Sequence, residues 1–132
     1  DGRNAEMDAA KWETYIDHVL EKNEREEDCP IRRVLELLSG RWRPQIIYTL
    51  YKHPACRFGQ LQKAMPRVTN AVLTTTLREL ERIGIVQRTQ FNEVPPHVEY
   101  SLTDKGCALL PIFYEMTVWG EKYLGDEGML ER

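Results

Sequence analysis

No stretch of this sequence approaches the roughly 18 consecutive apolar residues of a membrane-spanning helix. The N-terminus also lacks the basic-then-apolar order of a secretory signal. A cytoplasmic protein that makes no use of a membrane is therefore expected. Cysteine is scarce and odd in number, with Cys29, Cys56 and Cys107 forming no Cys-x-x-Cys pair. That argues against a secreted disulfide framework and fits a reducing compartment. His53 and Cys56 have the spacing of two metal ligands, but two further ligands are missing, so neither a zinc site nor any cofactor is expected. There is no Ser/His/Asp arrangement with a nucleophile turn, no Gly-rich phosphate loop and no His-Glu-x-x-His. His18, His53 and His97 lie in unrelated segments. An enzyme is not expected.

The 132 residues, 42% of them hydrophobic, suffice for one domain with a modest core, and 30% charged residues argue against disorder of the whole. The formal net charge of −3 hides a partition. Residues 29–106 hold 12 Lys/Arg against 6 Asp/Glu, whereas 1–28 hold 4 against 10 and 107–132 hold 2 against 5. A basic middle between acidic ends is the footprint of a module that meets a polyanion on one face and turns its ends elsewhere. Chance segregation of charge on solvated surfaces is the competing reading. Residues 1–6 are expected to be either an appended remnant or a trimmed end, with Met7 nearer a natural start, and take no part in the fold reading.

From Met7 to about Asn23, Trp12, Tyr15, Ile16, Val19 and Leu20 recur at helical spacing, and the acidic run "EREED" closes that helix. "CPIRRVLELLSG" puts Pro30 at a helix start and Gly40 at its stop, with Ile31, Val34, Leu35 and Leu38 on one stripe. A third helix is expected from about Arg43, with proline tolerated in its first turn and His53-Pro54 ending it. "RFGQLQKAMP" reads as a short fourth helix with Phe58, Leu61 and Met65 inward, ended by Pro66.

The next stretch, "RVTNAVLTTTLRELERIGIVQR", puts three threonines in a row inside a helix, where β-branched side chains lose χ1 freedom. Thr69 suits the N-cap and Gly84 the stop, giving a helix over 69–83. At about 100° per residue, Leu73, Thr76, Leu77, Leu80 and Ile83 fall on one side, and Ala71, Thr74, Thr75, Arg78 and Arg82 on the other. Thr74 and Thr75 therefore join an exposed polar ridge, while Thr76 lies at the core's edge. After Gly84 the period becomes two. The runs 85–91 and 98–103 around "NEVPPH" read as a hairpin with a stiff tip. A last helix begins at Thr103, with "TDKG" as its cap region and Leu109, Ile112, Phe113, Met116 and Trp119 as apolar positions, and runs to about Leu124. Pro111 implies a bend in it, or a start nearer Cys107.

A short helix, a tight turn, a longer polar-faced helix and then a hairpin is the order of a winged helix-turn-helix: mainly α with a small β-hairpin. The segments "CPIRRVLELLSGRW", "RFGQLQKAMPRVTNAVLTTTLRELERIGIVQR" and "NEVPPHVEYSLTDKG" resemble the HxlR-type winged-helix regulators, relatives of the MarR-like repressors, from about Cys29 to Trp119. The resemblance implies a DNA-binding transcription regulator that works as a homodimer. The ends are acidic, so DNA would repel them, and their apolar stripes exceed what one small domain can cover; a dimerisation segment over 1–28, a winged helix-turn-helix over 29–104 and a second dimerisation helix over 105–132 are therefore expected.

Asn70, Ala71, Thr74, Thr75 and Arg78 are the candidate base readers. Asn pairs with adenine edges, threonine offers a hydroxyl and a methyl, and Arg binds guanine or phosphate. A solvated helix face is the alternative. Arg57, Arg67 and Arg88 are candidate phosphate contacts, with Lys63, Arg41 and Arg43 weaker ones. In the wing, His97 stands where the family usually has a basic residue, so it is either a backbone contact or a plain turn residue. Cys29 stands at the Cys-Pro position that some HxlR-type regulators use to sense oxidants or electrophiles. Helix-terminal N–H groups beside it favour a reactive sulfur, Glu26, Glu27 and Asp28 oppose that, and the alternative is a small buried hydrophobe. Trp12, Trp42, Trp119, Tyr15, Tyr114 and Tyr123 either line a small-molecule effector cavity or pack in the core or a dimer interface. A protein-interaction module that keeps this scaffold without reading DNA is the rival function.

Overall fold

The computed structural model describes residues 9–22 and 29–129, which divide into two units between Gly40 and Arg41. In the first unit, α1 spans Ala9–Lys22 and α2 spans Pro30–Leu38. The stripe of α1 is present as read, and its Trp12, Tyr15, Ile16 and Leu20 are all exposed. Pro30 takes the first position of α2, where its missing N–H would have had no helical partner. Cys29 is the N-cap residue, its carbonyl accepting from the Arg32 N–H at 3.1 Å. Ile31, Val34 and Leu35 are exposed on α2. Met7, Asn23 and the acidic run to Asp28 lie outside the described residues.

The second unit runs α3 (Arg43–Lys52), α4 (Phe58–Ala64), α5 (Asn70–Arg82), β1 (Val86–Phe91), β2 (His97–Leu102), α6 (Asp104–Cys107) and α7 (Leu109–Met129). Its core joins Ile46, Ile47 and Leu50 of α3, Leu61 of α4 and Met65 at its C-cap, Leu73, Leu77 and Leu80 of α5, Ile85 and Val86 at the root of the hairpin, and Phe113 of α7. Phe58 is only half-buried, unlike Leu61 and Met65. The strands pair antiparallel from Val86 with Leu102 to Phe91 with His97.

The hairpin is also tied to the helix-turn-helix. Cys56, in the loop before α4, bridges to Tyr100 of β2, with N–H to O distances of 2.9 and 2.7 Å in the two directions. A one-residue bridge has no periodicity, which is why nothing in the sequence marks it.

The segment "TDKG" does more than start a helix. The Thr103 hydroxyl accepts from the Gly106 N–H at 3.1 Å and lies within hydrogen-bond reach of the Gly84 and Ile85 carbonyls. Lys105 Nζ donates to the Ile83 carbonyl at 2.6 Å, satisfying a C-terminal group of α5. Gly84 itself turns the chain with φ of 81°. At Gly106 a Cβ would lie 2.5 Å from the Ile85 carbonyl oxygen. These contacts set the angle between α5 and the wing. Gly106→Ala is expected to cost about 1–3 kcal/mol, because backbone must give way; urea unfolding of the variant measures it.

The last helix neither bends at Pro111 nor runs unbroken from Thr103. The four residues of α6 end at Cys107 and α7 starts at Leu109, which places Pro111 in a first turn where no N–H is needed. The helical path breaks at Gly125, with φ of 59°. Of the apolar positions on α7, Phe113 is buried, whereas Ile112, Met116 and Trp119 are exposed. None of the described helices is long and apolar enough to cross a membrane.

Candidate nucleic-acid interface

Helix α5 begins as its sequence dictates: the Thr69 hydroxyl accepts from the Val72 N–H at 3.2 Å. Leu73, Thr76, Leu77 and Leu80 are buried. Thr76 keeps its polar atom satisfied there by donating to the Val72 carbonyl at 2.7 Å. On the outer side Asn70, Ala71, Thr75, Arg78 and Arg82 are exposed and Thr74 is half-buried. The three threonines thus divide as the periodicity requires.

The crest of α5 has two flanks. Toward the wing, Thr74, Leu77, Arg78 and Glu81 face Arg88 and Tyr100 across a cleft of about 300 Å³. Arg88 and Tyr100 are paired in the hairpin register. Two arginines read from separate segments therefore line one cleft. Glu81 and Tyr100 were not singled out in the sequence. Glu81 could have been, since it follows Thr74 by seven residues and Arg78 by three on the same helix face. On the opposite flank, Ala71, Val72, Thr75 and Thr76 line a shallow hollow of about 230 Å³. Val72 is 43% exposed, an apolar residue on a face otherwise read as polar.

The remaining candidates divide by what holds them. The Asn70 Oδ1 accepts from Gln62 Nε2 at 2.5 Å, which ties the start of α5 to α4. Arg57 is exposed at the N-cap of α4, where its backbone N–H donates to Gln60 Oε1 at 2.8 Å. Arg67 is exposed in the turn between α4 and α5. Arg43, a weaker candidate, is engaged within the fold: its Nη2 donates to Glu79 Oε1 at 3.1 Å and its side chain is only 15% exposed. Arg41 lies over the Trp42 ring at 4.7 Å, and Lys63 is exposed. The imidazole of His97 turns into the wing, with Nε2 3.0 Å from Glu99 and Nδ1 3.7 Å from Glu93, and stacks on Phe91 at 4.7 Å.

Cys29 is half-buried, Cys56 buried and Cys107 exposed. Burial pushes the Cys56 thiol up from its ordinary value, so it resists forming the nucleophilic thiolate. Among the described residues no cluster of three or more His, Cys, Asp or Glu could hold a metal ion. Tyr15, Tyr114, Trp119 and Tyr123 are exposed, and Trp42 is half-buried.

A polar-crested helix set against a hairpin wing, with a short helix and tight turn before it, defines a winged helix-turn-helix protein. The chain belongs to the HxlR-like helix-turn-helix family, whose pattern matches residues 37–128, and it is a DNA-binding transcription regulator. It is 42% identical to the uncharacterized HTH-type transcriptional regulator YdeP of Bacillus subtilis strain 168, over 74% of this chain and 75% of that protein. Among solved structures, the reduced form of the transcriptional regulator YodB from B. subtilis matches with a TM-score of 0.67 and 35% identity, covering 72% of this chain and 93% of YodB. The redox regulator HypR in its oxidized form matches with a TM-score of 0.63 and 40% identity, covering 71% and 96% respectively.

Proposed function

We propose that this regulator binds double-stranded DNA as a homodimer, laying α5 of each protomer in successive major grooves with the wings alongside. Asn70, Ala71, Thr74, Thr75 and Arg78 read base edges, while Arg57, Arg67 and Arg88 hold phosphates and fix the register. His97 is a weak phosphate contact, because its ring is engaged by Glu99 and Glu93, whose carboxylates repel a phosphate. The observation that carries the reading is the exposed crest of α5, with Arg78 and Arg88 on one cleft beside it. The module spans 29–104, and the segments 1–28 and 105–132 supply the dimer contacts. Support for that division comes from the exposed Trp12, Tyr15, Ile16 and Leu20 of α1 and the exposed Ile112, Met116, Trp119 and Tyr123 of α7. Uncovered apolar surface of this kind marks a protein interface, and the acidic charge of both ends keeps them off DNA. Selection of bound fragments from random-sequence DNA tests the reading. A two-fold symmetric motif is expected, and failure to retard any duplex at low salt would favour the interaction-module reading instead.

An oxidant input enters at Cys29, whose place at the N-cap of α2 and partial exposure support it; the names of the redox regulator HypR and of diamide-treated YodB lend the analogy. The Cys29 thiolate attacks peroxide to give a sulfenic acid and hydroxide, and a second thiol, from the other protomer, condenses with it to a disulfide and water. Mild peroxide is expected to release DNA from the wild type and not from Cys29→Ser, in mobility-shift assays. Release of both proteins alike would move the oxidant input away from Cys29 to another group, and release of neither would leave Cys29 as packing and move any input to a small ligand.

A further inference from the structure

The flank of α5 away from the wing has a chemistry that the polar crest does not. Ala71, Val72 and Thr75 border a hollow whose fourth wall is Thr76. The Thr76 hydroxyl is already donated to the Val72 carbonyl, so it offers the hollow no free donor. Val72 is 43% exposed, and none of the described residues covers it fully. What faces outward is a cluster of methyl groups in the first two turns of the helix, the part of a recognition helix that reaches base edges.

Charge on the surrounding helix-turn-helix decides the occupant. Arg67 is exposed three residues before Asn70, Arg57 is exposed at the start of α4, and Arg78 is exposed one turn beyond Thr75. These exposed cations on the same short stretch of chain favour a polyanion over an apolar protein segment. The one apolar group that double-stranded DNA presents in its major groove is the C5-methyl of thymine. Asn70, at the head of the flank, is held by Gln62, which restrains its amide.

We propose that this hollow is a thymine-methyl seat: in each half-site one thymine C5-methyl lies against Thr75 Cγ2, between Ala71 and Val72, and makes that position of the operator specific for thymine over cytosine and uracil. The inference rests on the reading of α5 as the major-groove helix and names one base that it selects. It also assigns Val72 a part in recognition, as the wall that keeps water from the seat.

The test starts from a duplex chosen by random-sequence selection, so failure to find one counts against the DNA-binding reading and is distinct from failure of the seat. Each thymine of the half-site is then replaced singly by deoxyuracil, which removes the methyl and leaves every hydrogen-bonding atom. One position per half-site is expected to lose about fourfold in affinity per seat, the equivalent of about 0.8 kcal/mol for one buried methyl. Thr75→Ser, which keeps the hydroxyl and removes the methyl, should make the protein indifferent to thymine or deoxyuracil there, while Thr75→Val should keep the discrimination. Thermal unfolding of both variants near the wild-type midpoint establishes that the fold is intact. Deoxyuracil tolerated at every position, or a discrimination that survives Thr75→Ser unchanged, would overturn the proposal.

Discussion

Replacing Leu77 by alanine is expected to destabilise the protein by roughly 2–5 kcal/mol, whereas Thr75→Ala, two residues away, should change stability by no more than about 0.5 kcal/mol. The difference lies in which side of α5 each residue occupies. Leu77 is 2% exposed and belongs to the same set of buried apolar residues as Leu73, Leu80, Ile46 and Ile47. Its truncation leaves a cavity that neighbouring helices cannot close without losing contacts of their own. Thr75 is exposed, so its loss removes no buried contact and alanine is the better helix former. Binding should order the pair in reverse: Thr75→Ala loses affinity at particular bases while its unfolding midpoint stands. Urea denaturation of both variants beside mobility shifts on the selected duplex checks this. Equal loss of stability would mean that the helix is rotated from the orientation described.

Affinity for DNA should fall about a thousandfold between 50 and 200 mM salt, if Arg57, Arg67 and Arg88 of two protomers neutralise about six phosphates. Each contact releases condensed counterions, so the logarithm of the binding constant falls linearly with the logarithm of salt concentration. Arg57→Ala should weaken binding to all sequences alike and reduce the slope by about 1 per protomer. Arg43 provides a contrast, because its guanidinium is engaged with Glu79 at 3.1 Å. Arg43→Ala should lower stability by loosening α3 from α5, with little change in the salt slope. A slope unaltered by Arg57→Ala would remove that residue from the phosphate contacts. The overall acidic pI of about 5.7 does not weigh against this electrostatics, since the negative charge is gathered in the terminal segments and the positive charge in 29–106.

Most of the elements, and the face of α5, are legible in the sequence. Pro30, Pro44, Thr69 and Gly84 mark helix ends through their own backbone chemistry, and the change of period after Gly84 marks the hairpin. The 3.6-residue repeat of Leu73, Leu77 and Leu80 determines which threonines face out, because a helix relates residues three and four apart whatever surrounds it. Signals of that kind depend on neighbours within a turn or two. The tertiary structure decided what depends on distant partners: Arg43 is engaged by Glu79, 36 residues away, Cys56 is bridged to Tyr100, and Gly106 sits against the Ile85 carbonyl. It also divided the crest into a wing-side cleft with Glu81 and an opposite hollow with Val72. It turned His97 onto Phe91 and Glu99, and it left most of the apolar stripe of α7 uncovered. No local pattern encodes these outcomes, because a side chain's partner is chosen by which elements pack against it, and that follows from burial of the whole core.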